Sequence, residues 1–153
     1  MKKILWVTPI LPYPPTTGGD IQVCQQLTAL AGDYEQHLLC FYGAGQTAAL
    51  ADGLRPPAAS VTMLKGTQET LPEYAAAPAV VNHHYASGMK AELRRQLVAL
   101  RPDLVLFVFW FMALYVEQLR ELRRVKTAAL AVDLEYRRRR SAGESDWSHC
   151  RDW

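Results

Sequence analysis

Two short apolar runs constrain the fold of this chain more than any other feature. They are Lys3–Thr8 near the beginning and Leu104–Phe109 in the second half. A continuous apolar run of this length, without alternating polar residues, is typical of a strand buried on both faces, as in parallel sheets. Because parallel strands need helical crossovers between them, these runs predict an α/β fold.

The rest of the chain alternates between strand and helix patterns. Predicted strands are residues 3–8, 37–42, 60–64, 104–109 and 127–132, and predicted helices are residues 20–31, 88–100, 112–123 and a basic helix from Asp133. We treat residues 66–86 as loop and partial helix. This order predicts a Rossmann-like parallel sheet over residues 1–140, with helices on both faces and strand order 3-2-1-4-5, followed by a frayed tail at 141–153.

Composition excludes several classes of function. The chain has 153 residues, half of them hydrophobic, which suits one core and one domain. A net charge of +2 gives no argument for nucleic acid. The three cysteines are an odd number without a C-x-x-C spacing, so they predict reduced thiols and a cytoplasmic location. No apolar run approaches the roughly 20 residues of a membrane-spanning helix.

Gly18 and Gly19 stand where the first helix begins, after a loop rich in proline. A buried strand that leads into a helix start of this kind brings free backbone N–H groups and the positive end of the helix dipole to one sheet edge. That arrangement suits a phosphate or carboxylate group. The alternative is that the glycine pair forms a plain turn.

In a doubly wound sheet, ligands bind beyond the carboxyl ends of the strands, where the strand order reverses. With the predicted order, that crevice lies between the first strand and the strand 104–109. The loops Pro9–Gly19 and Trp110–Met112 would line it, with Asp133 and Glu135 close by. These two carboxylates are the candidate catalytic groups, which would act on a hydroxyl group of the substrate. The alternative is that Asp133 caps a helix and Glu135 pairs with an arginine one turn later.

Several motifs, taken in order, resemble the amino-terminal domain of family 4 glycosyltransferases with the GT-B fold. The resemblance covers most of residues 3–140. It is carried by Lys3–Pro9, Pro12–Pro15, Gly18-Gly19, Leu27, Leu30-Ala31, Arg101–Val105, Met112-Ala113, Tyr115 and Val132–Glu135 with the arginines that follow.

The resemblance implies a transferase that moves a sugar from a nucleotide-sugar to an acceptor hydroxyl. Its amino-terminal half would hold a sugar or lipid-linked acceptor, with Tyr13, Trp110 and Met112 shaping the acceptor pocket. Gly18 and Gly19 would face the donor diphosphate from across the cleft. It implies no metal and no cofactor besides the nucleotide-sugar co-substrate, and we interpret His83-His84 as an exposed loop pair rather than a metal site.

The chain also departs from that family. A histidine or acid that the family commonly carries near the end of the fourth strand is replaced here by Leu106, Val108 and Phe109, and the histidine often found before Asp133 is aliphatic. Residues 141–153 do not begin the donor-binding domain of the family. We therefore expect that domain to be missing here, the chain to be inactive by itself, and a complementary donor-binding partner.

Arg137–Arg140 has two interpretations. The run fits a solvated helix, and with Trp147 and Trp153 it also fits peripheral contact with the inner face of an anionic membrane. A second hypothesis for the whole chain is a Rossmann-like binding or assembly module without catalysis. A dinucleotide oxidoreductase is disfavoured because no G-x-G-x-x-G follows the first strand.

Overall fold

The computed structural model describes residues 1–43, 45–66, 84–118 and 120–131. Its strands are β1 (Lys2–Thr8), β2 (Tyr34–Tyr42), β3 (Ser60–Lys65), β4 (Leu104–Val108) and β5 (Lys126–Leu130). Its helices are α1 (Gly18–Leu30), α2 (Ala48–Asp52), α3 (Ser87–Leu100) and α4 (Leu114–Gln118), with 3₁₀ turns at Trp110–Ala113 and Arg120–Arg124.

The five strands form one parallel sheet in the order β3-β2-β1-β4-β5. The central strand β1 pairs with both β2 and β4, and Leu5 lies between His37 and Val105. The α/β Rossmann-like class and the predicted strand order are therefore confirmed. The reversal of strand order falls between β1 and β4, as the sequence predicts.

Two apolar layers cover the two faces of the sheet. On one face, α3 packs Met89, Leu93 and Leu97 against a core that contains Leu5 and Val105. The helical spacing of Met89, Leu93 and Leu97 in the sequence predicts this inward face, and the structure confirms it. The helix ends at Leu100, after which Arg101 adopts a left-handed conformation with φ 49° and Pro102 prevents continuation.

On the opposite face, α1 packs Val23 and Leu27 against Trp6 and its neighbours. Two buried hydrogen bonds of Gln36 connect the helix α1 to the sheet on this face. The Trp6 indole Nε1 donates to Gln36 Oε1 at 3.1 Å, and Gln36 Nε2 donates to the Leu27 carbonyl at 2.6 Å. The amide of Gln36 thus satisfies two buried groups at once and ties β1, β2 and α1 together.

Three expectations about secondary structure need correction. The helix predicted over 112–123 is divided into 3₁₀ turns and the short α4, because Phe109 turns the chain sharply after β4 with a positive φ of 68°. The strand predicted at 127–132 is β5, which lies at the edge of the sheet as the predicted order requires, but its residues Lys126–Ala129 are exposed and not buried as expected. The connection after β2 contains the helix α2, which the composition of that segment did not indicate.

The basic helix predicted from Asp133, the tail 141–153 and most of the segment 66–86 lie outside the described residues. In the part of the chain that the structure describes, no helix has both the length and the apolar character that a membrane crossing requires.

Candidate functional site

A cavity of about 580 Å³ opens at the carboxyl edge of the sheet. It is lined by the loop that follows β1, by the ends of β2 and β4, by Gly66 after β3, and by Gln46 and His84. This volume is in the range of small-molecule sites, and the position is where doubly wound sheets bind ligands. The cavity reaches further toward β2 than the crevice predicted between β1 and β4.

Hydrogen bonds hold the loop between β1 and α1 in place. Thr8 Oγ1 donates to the Ile10 carbonyl at 2.7 Å, and Cys24 Sγ donates to the Pro12 carbonyl at 3.0 Å. Gln46 joins this loop to the end of β2, since its Nε2 donates to the Leu11 carbonyl at 2.9 Å and its Oε1 accepts from the Gly43 N–H at 3.1 Å. The loop is therefore a fixed wall of the cavity.

The helix α1 begins in a capping box formed by Thr17 and Asp20. The Asp20 N–H donates to Thr17 Oγ1 at 3.2 Å, and Asp20 Oδ2 accepts from the Thr17 N–H at 3.0 Å. Asp20 Oδ2 also accepts from the N–H and the hydroxyl of Thr16, at 3.4 and 3.3 Å. Both Thr17 and Asp20 line the cavity, so the capping box is part of its surface.

Gly18 and Gly19 are the first two residues of α1. A Cβ placed on Gly18 would meet no atom within 4 Å, so the space beside it is open. The helix dipole attracts an anion to this end, whereas the Asp20 carboxylate repels one. Among the described lining residues there is no lysine or arginine to offset that carboxylate. The helix dipole and the Asp20 carboxylate therefore act on an approaching anion in opposite directions.

Aromatic side chains form the wall near β4. The rings of Phe109 and Phe111 stack with centroids 5.4 Å apart and an interplanar angle of 16°, and His84 stacks on Phe111 at 4.4 Å and 28°. All three line the cavity. Phe109 adopts its positive φ while its N–H donates to the Leu130 carbonyl at 2.8 Å. A positive φ on an aromatic residue costs about 1–3 kcal/mol and is found most often at functional sites.

Tyr115 fixes the backbone at His84 from within the core. Its side chain is fully buried, its hydroxyl donates to the His84 carbonyl at 2.9 Å, and that hydroxyl accepts from the Ala86 N–H at 3.0 Å. Stacking on Phe111 therefore holds the imidazole ring of His84, and the hydrogen bond from Tyr115 holds its backbone. The ring therefore has a defined position in the cavity wall.

The structure places the predicted acceptor residues beside the cavity rather than on its lining. Met112 is fully buried in the core beneath α3, and Trp110 is half-buried with its ring edge-on to Phe111. Tyr13 packs over Gly53 so closely that a Cβ there would overlap its ring. Acceptor binding by these three residues stays a prediction.

The candidate carboxylates Asp133 and Glu135 lie outside the described residues, as do His83 and the run Arg137–Arg140. Within the described ranges, no group of three or more histidine, cysteine, aspartate or glutamate side chains is arranged to hold a metal ion.

Sequence reasoning missed part of the lining of the cavity, above all Asp20 and His84, whereas Phe111 lies within the predicted lining loop Trp110–Met112. One of them carried a detectable signal, because a threonine followed three residues later by an acid marks a capping box at a helix start. The position of His84 depends on a tyrosine 31 residues further along the chain, and no local pattern reveals such a contact.

Comparisons with protein-family models and with curated proteins gave no match to this chain.

Proposed function

We propose that this domain is the acceptor-binding half of a GT-B type glycosyltransferase, which works with a donor-binding domain to move a sugar from a nucleotide-sugar to a hydroxyl group. The observation that carries the proposal is the cavity at the carboxyl edge of the sheet, bounded by the start of α1 and by the aromatic wall. The motifs from Lys3 to Glu135 that resemble family 4 glycosyltransferases support sugar transfer as the reaction.

The described residues suggest how the acceptor half would contribute. The acceptor hydroxyl attacks the anomeric carbon of the donor sugar while the bond from that carbon to the diphosphate breaks. Of the described lining groups, the Asp20 carboxylate is placed to accept a hydrogen bond from that hydroxyl. The main catalytic contribution of such a site is to hold the hydroxyl group and the donor sugar close together in the orientation that the reaction needs.

The same proposal assigns roles to the glycine pair at the start of α1 and to two carboxylates. Gly18 and Gly19 would face the leaving diphosphate, because their N–H groups lie at the positive end of α1. Asp133 and Glu135 remain candidates for contact with acceptor hydroxyls. The nucleotide-sugar is a co-substrate, and no metal or other cofactor is invoked. We propose a cytoplasmic enzyme with peripheral membrane contact if its acceptor is lipid-linked.

A second candidate is a Rossmann-like binding module without catalysis. The Asp20 carboxylate favours it, since it brings a negative charge to the end of α1 where donor phosphates would approach. A module that only binds a neutral compound or a partner chain would tolerate that charge.

An NMR titration of the isotope-labelled chain distinguishes the two candidates. Neutral sugars and nucleotide-sugars are added separately, and the amides of Thr17, Asp20 and Gln46 are followed. The proposal expects shifts with the sugar, and sugar transfer once a donor-binding domain is added. A Gly18→Ala variant should fold normally, because nothing obstructs a Cβ there, yet lose most of the transfer. Full transfer by that variant would show that Gly18 is only a turn residue.

A further inference from the structure

A serine, a histidine and a glutamate form a chain of hydrogen bonds at the amino end of the sheet. Ser60 Oγ lies 2.8 Å from His37 Nδ1, and Glu35 Oε1 lies 3.0 Å from His37 Nε2. Both distances are within hydrogen-bond range. A nucleophile, a base and a group that orients the base, joined in this order, are the recurring parts of sites that form covalent intermediates.

The register of β2 and β3 brings the three side chains together. Glu35 and His37 are two residues apart in β2, so their side chains project from the same face of the sheet. Ser60 is the first residue of β3 and stands beside His37 in the parallel pairing of the two strands. The three groups are therefore built on paired strands, which hold reacting groups more precisely than a loop does.

The hydrogen bond to Glu35 determines which ring nitrogen of His37 carries the proton. An ionised carboxylate only accepts hydrogen bonds, so the Nε2–H of His37 donates to Glu35 Oε1. In the neutral imidazole, Nδ1 is then an acceptor, and the Ser60 hydroxyl donates its hydrogen to it. Ser60 Oγ keeps its own lone pairs for attack on an electrophile, with a proton acceptor already in place.

The base and the nucleophile differ in burial. The side chain of His37 is only 7% exposed, whereas Ser60 is half-buried on an edge strand of the sheet. Exclusion of water strengthens the interaction of the imidazole with the Glu35 carboxylate. Lys3 Nζ lies 3.6 Å from the same Glu35 oxygen and is a second contact that fixes it. The exposed part of Ser60 gives a small reagent access to the hydroxyl.

We propose that Ser60 is a nucleophile that takes the acyl group of a small ester, with His37 as its general base and Glu35 as the residue that positions His37. Ser60 Oγ attacks the carbonyl carbon of the ester while its proton passes to His37 Nδ1. The bond from that carbon to the leaving oxygen then breaks, the leaving oxygen takes the electron pair and the proton from His37, and the acyl group remains on Ser60. The cavity lies at the opposite, carboxyl end of the strands, so this reaction does not depend on sugar transfer.

The test is the release of p-nitrophenolate from p-nitrophenyl acetate by the full chain. Ser60→Ala should lower the rate of release at least about threefold, and His37→Gln should lower it to the same level. Ser87→Ala removes an exposed serine at the start of α3 and should leave the rate unchanged. Peptide mass spectrometry of acid-quenched samples should find the acetyl group on Ser60.

The tautomer of His37 gives a second measurement, which needs no variant. Long-range ¹H–¹⁵N NMR spectra of the wild-type protein should show the proton on Nε2. Glu35→Gln keeps an acceptor for that proton but removes the charge. It should raise the share of the Nδ1–H form and lower the Ser60-dependent rate about three- to tenfold. A purely structural role of Glu35 would leave both quantities unchanged in the folded variant.

Three results would overturn the inference. A proton on Nδ1 of His37 in the wild-type protein would mean that Ser60 accepts a hydrogen bond from the ring and has no base. An unchanged rate in Ser60→Ala would assign ester cleavage to other groups, including the imidazole itself. An unchanged rate in a folded His37→Gln variant would show that Ser60 reacts without its base. If His37→Gln does not fold, the tautomer and the rate of Ser60→Ala decide.

Discussion

The two walls of the cavity are held by different kinds of interaction. On the loop wall most bonds are local, since those of Thr8 to Ile10 and of Thr17 to Asp20 join residues two or three positions apart, although Gln46 reaches the Leu11 carbonyl across 35 residues. On the aromatic wall, Tyr115 bonds to His84 and Ala86 across 31 and 29 residues. The loop wall is thus determined mainly by local sequence, whereas the aromatic wall exists only when the sheet and α3 are assembled.

The walls also differ in conformational strain. Thr17 is in an ordinary extended conformation with φ −116°, as an N-cap residue should be. Phe109 has φ 68°, which the bonds around it must maintain. We therefore expect substitutions on the aromatic wall to cost more, and to disturb the site further from the change, than substitutions on the loop wall.

Tyr115→Phe should give the largest effect. It leaves the Ala86 N–H without its acceptor and the His84 carbonyl without its donor, both supplied from a fully buried hydroxyl. The free energy of unfolding should fall by about 2–3 kcal/mol, measured by urea denaturation. The imidazole signals of His84 should also broaden or shift in NMR spectra.

Tyr34→Phe is the control for that change. Tyr34 is half-buried at the start of β2, and its hydroxyl makes no hydrogen bond among the described residues. Its removal should alter the free energy of unfolding by less than about 0.5 kcal/mol. Equal losses in the two variants would contradict a clamp specific to Tyr115.

A pair of variants at Phe109 measures the strain in the aromatic wall. Phe109→Gly should be more stable than Phe109→Ala by about 1 kcal/mol, because glycine adopts a positive φ without steric cost. At Ala91, exposed within α3, replacement by glycine should instead destabilise by about 1 kcal/mol. If the protein with alanine has the higher free energy of unfolding at both positions, the backbone at Phe109 is not strained in solution.

Thr17→Ala tests the loop wall. Loss of the capping hydroxyl should lower the free energy of unfolding by about 1 kcal/mol, measured by thermal or urea denaturation. Thr47→Ala is a matched control, since Thr47 precedes α2 as its N-cap residue without a side-chain capping bond. A loss at Thr47 as large as at Thr17 would show that the capping box does not stabilise α1 in particular.

This contrast explains which parts of the molecule the sequence predicts. The strand order and the inward face of α3 follow from hydrophobic periodicity, and both are confirmed. The predicted strand order places β5 at an edge, but periodicity does not reveal that its residues are exposed, because an apolar run looks the same in a buried and in an exposed strand. It also cannot place His84 beside Phe111, since that contact requires the folded chain.

The candidate site divides in the same way. The loop wall could be placed from Gly18, Gly19 and the proline-rich segment, because strand, loop and helix start follow directly in the chain. The aromatic wall was predicted through Trp110 and Met112, whereas the lining residues there are their neighbours Phe109 and Phe111. The positive φ of Phe109 changes the direction in which the side chains after β4 point, and no residue type in that segment predicts such a turn.

The smallest expected effect reports the charge on the loop wall. Burial raises the pKa of the Cys24 thiol, and the nearby Asp20 carboxylate raises it further. Asp20→Asn should therefore lower the pKa of Cys24 and speed its alkylation by iodoacetamide at pH 8 roughly twofold, followed for each cysteine by peptide mass spectrometry. Cys40, whose pKa burial raises to about 12, should stay unreactive in both proteins.

An unchanged rate at Cys24 would mean that the start of α1 already screens the carboxylate. A faster rate would show that the charge of Asp20 is felt across the first turns of α1, where donor phosphates and acceptor hydroxyls would have to approach. The alkylation rate therefore measures, without any ligand, how far the charge of Asp20 acts along the first turns of α1.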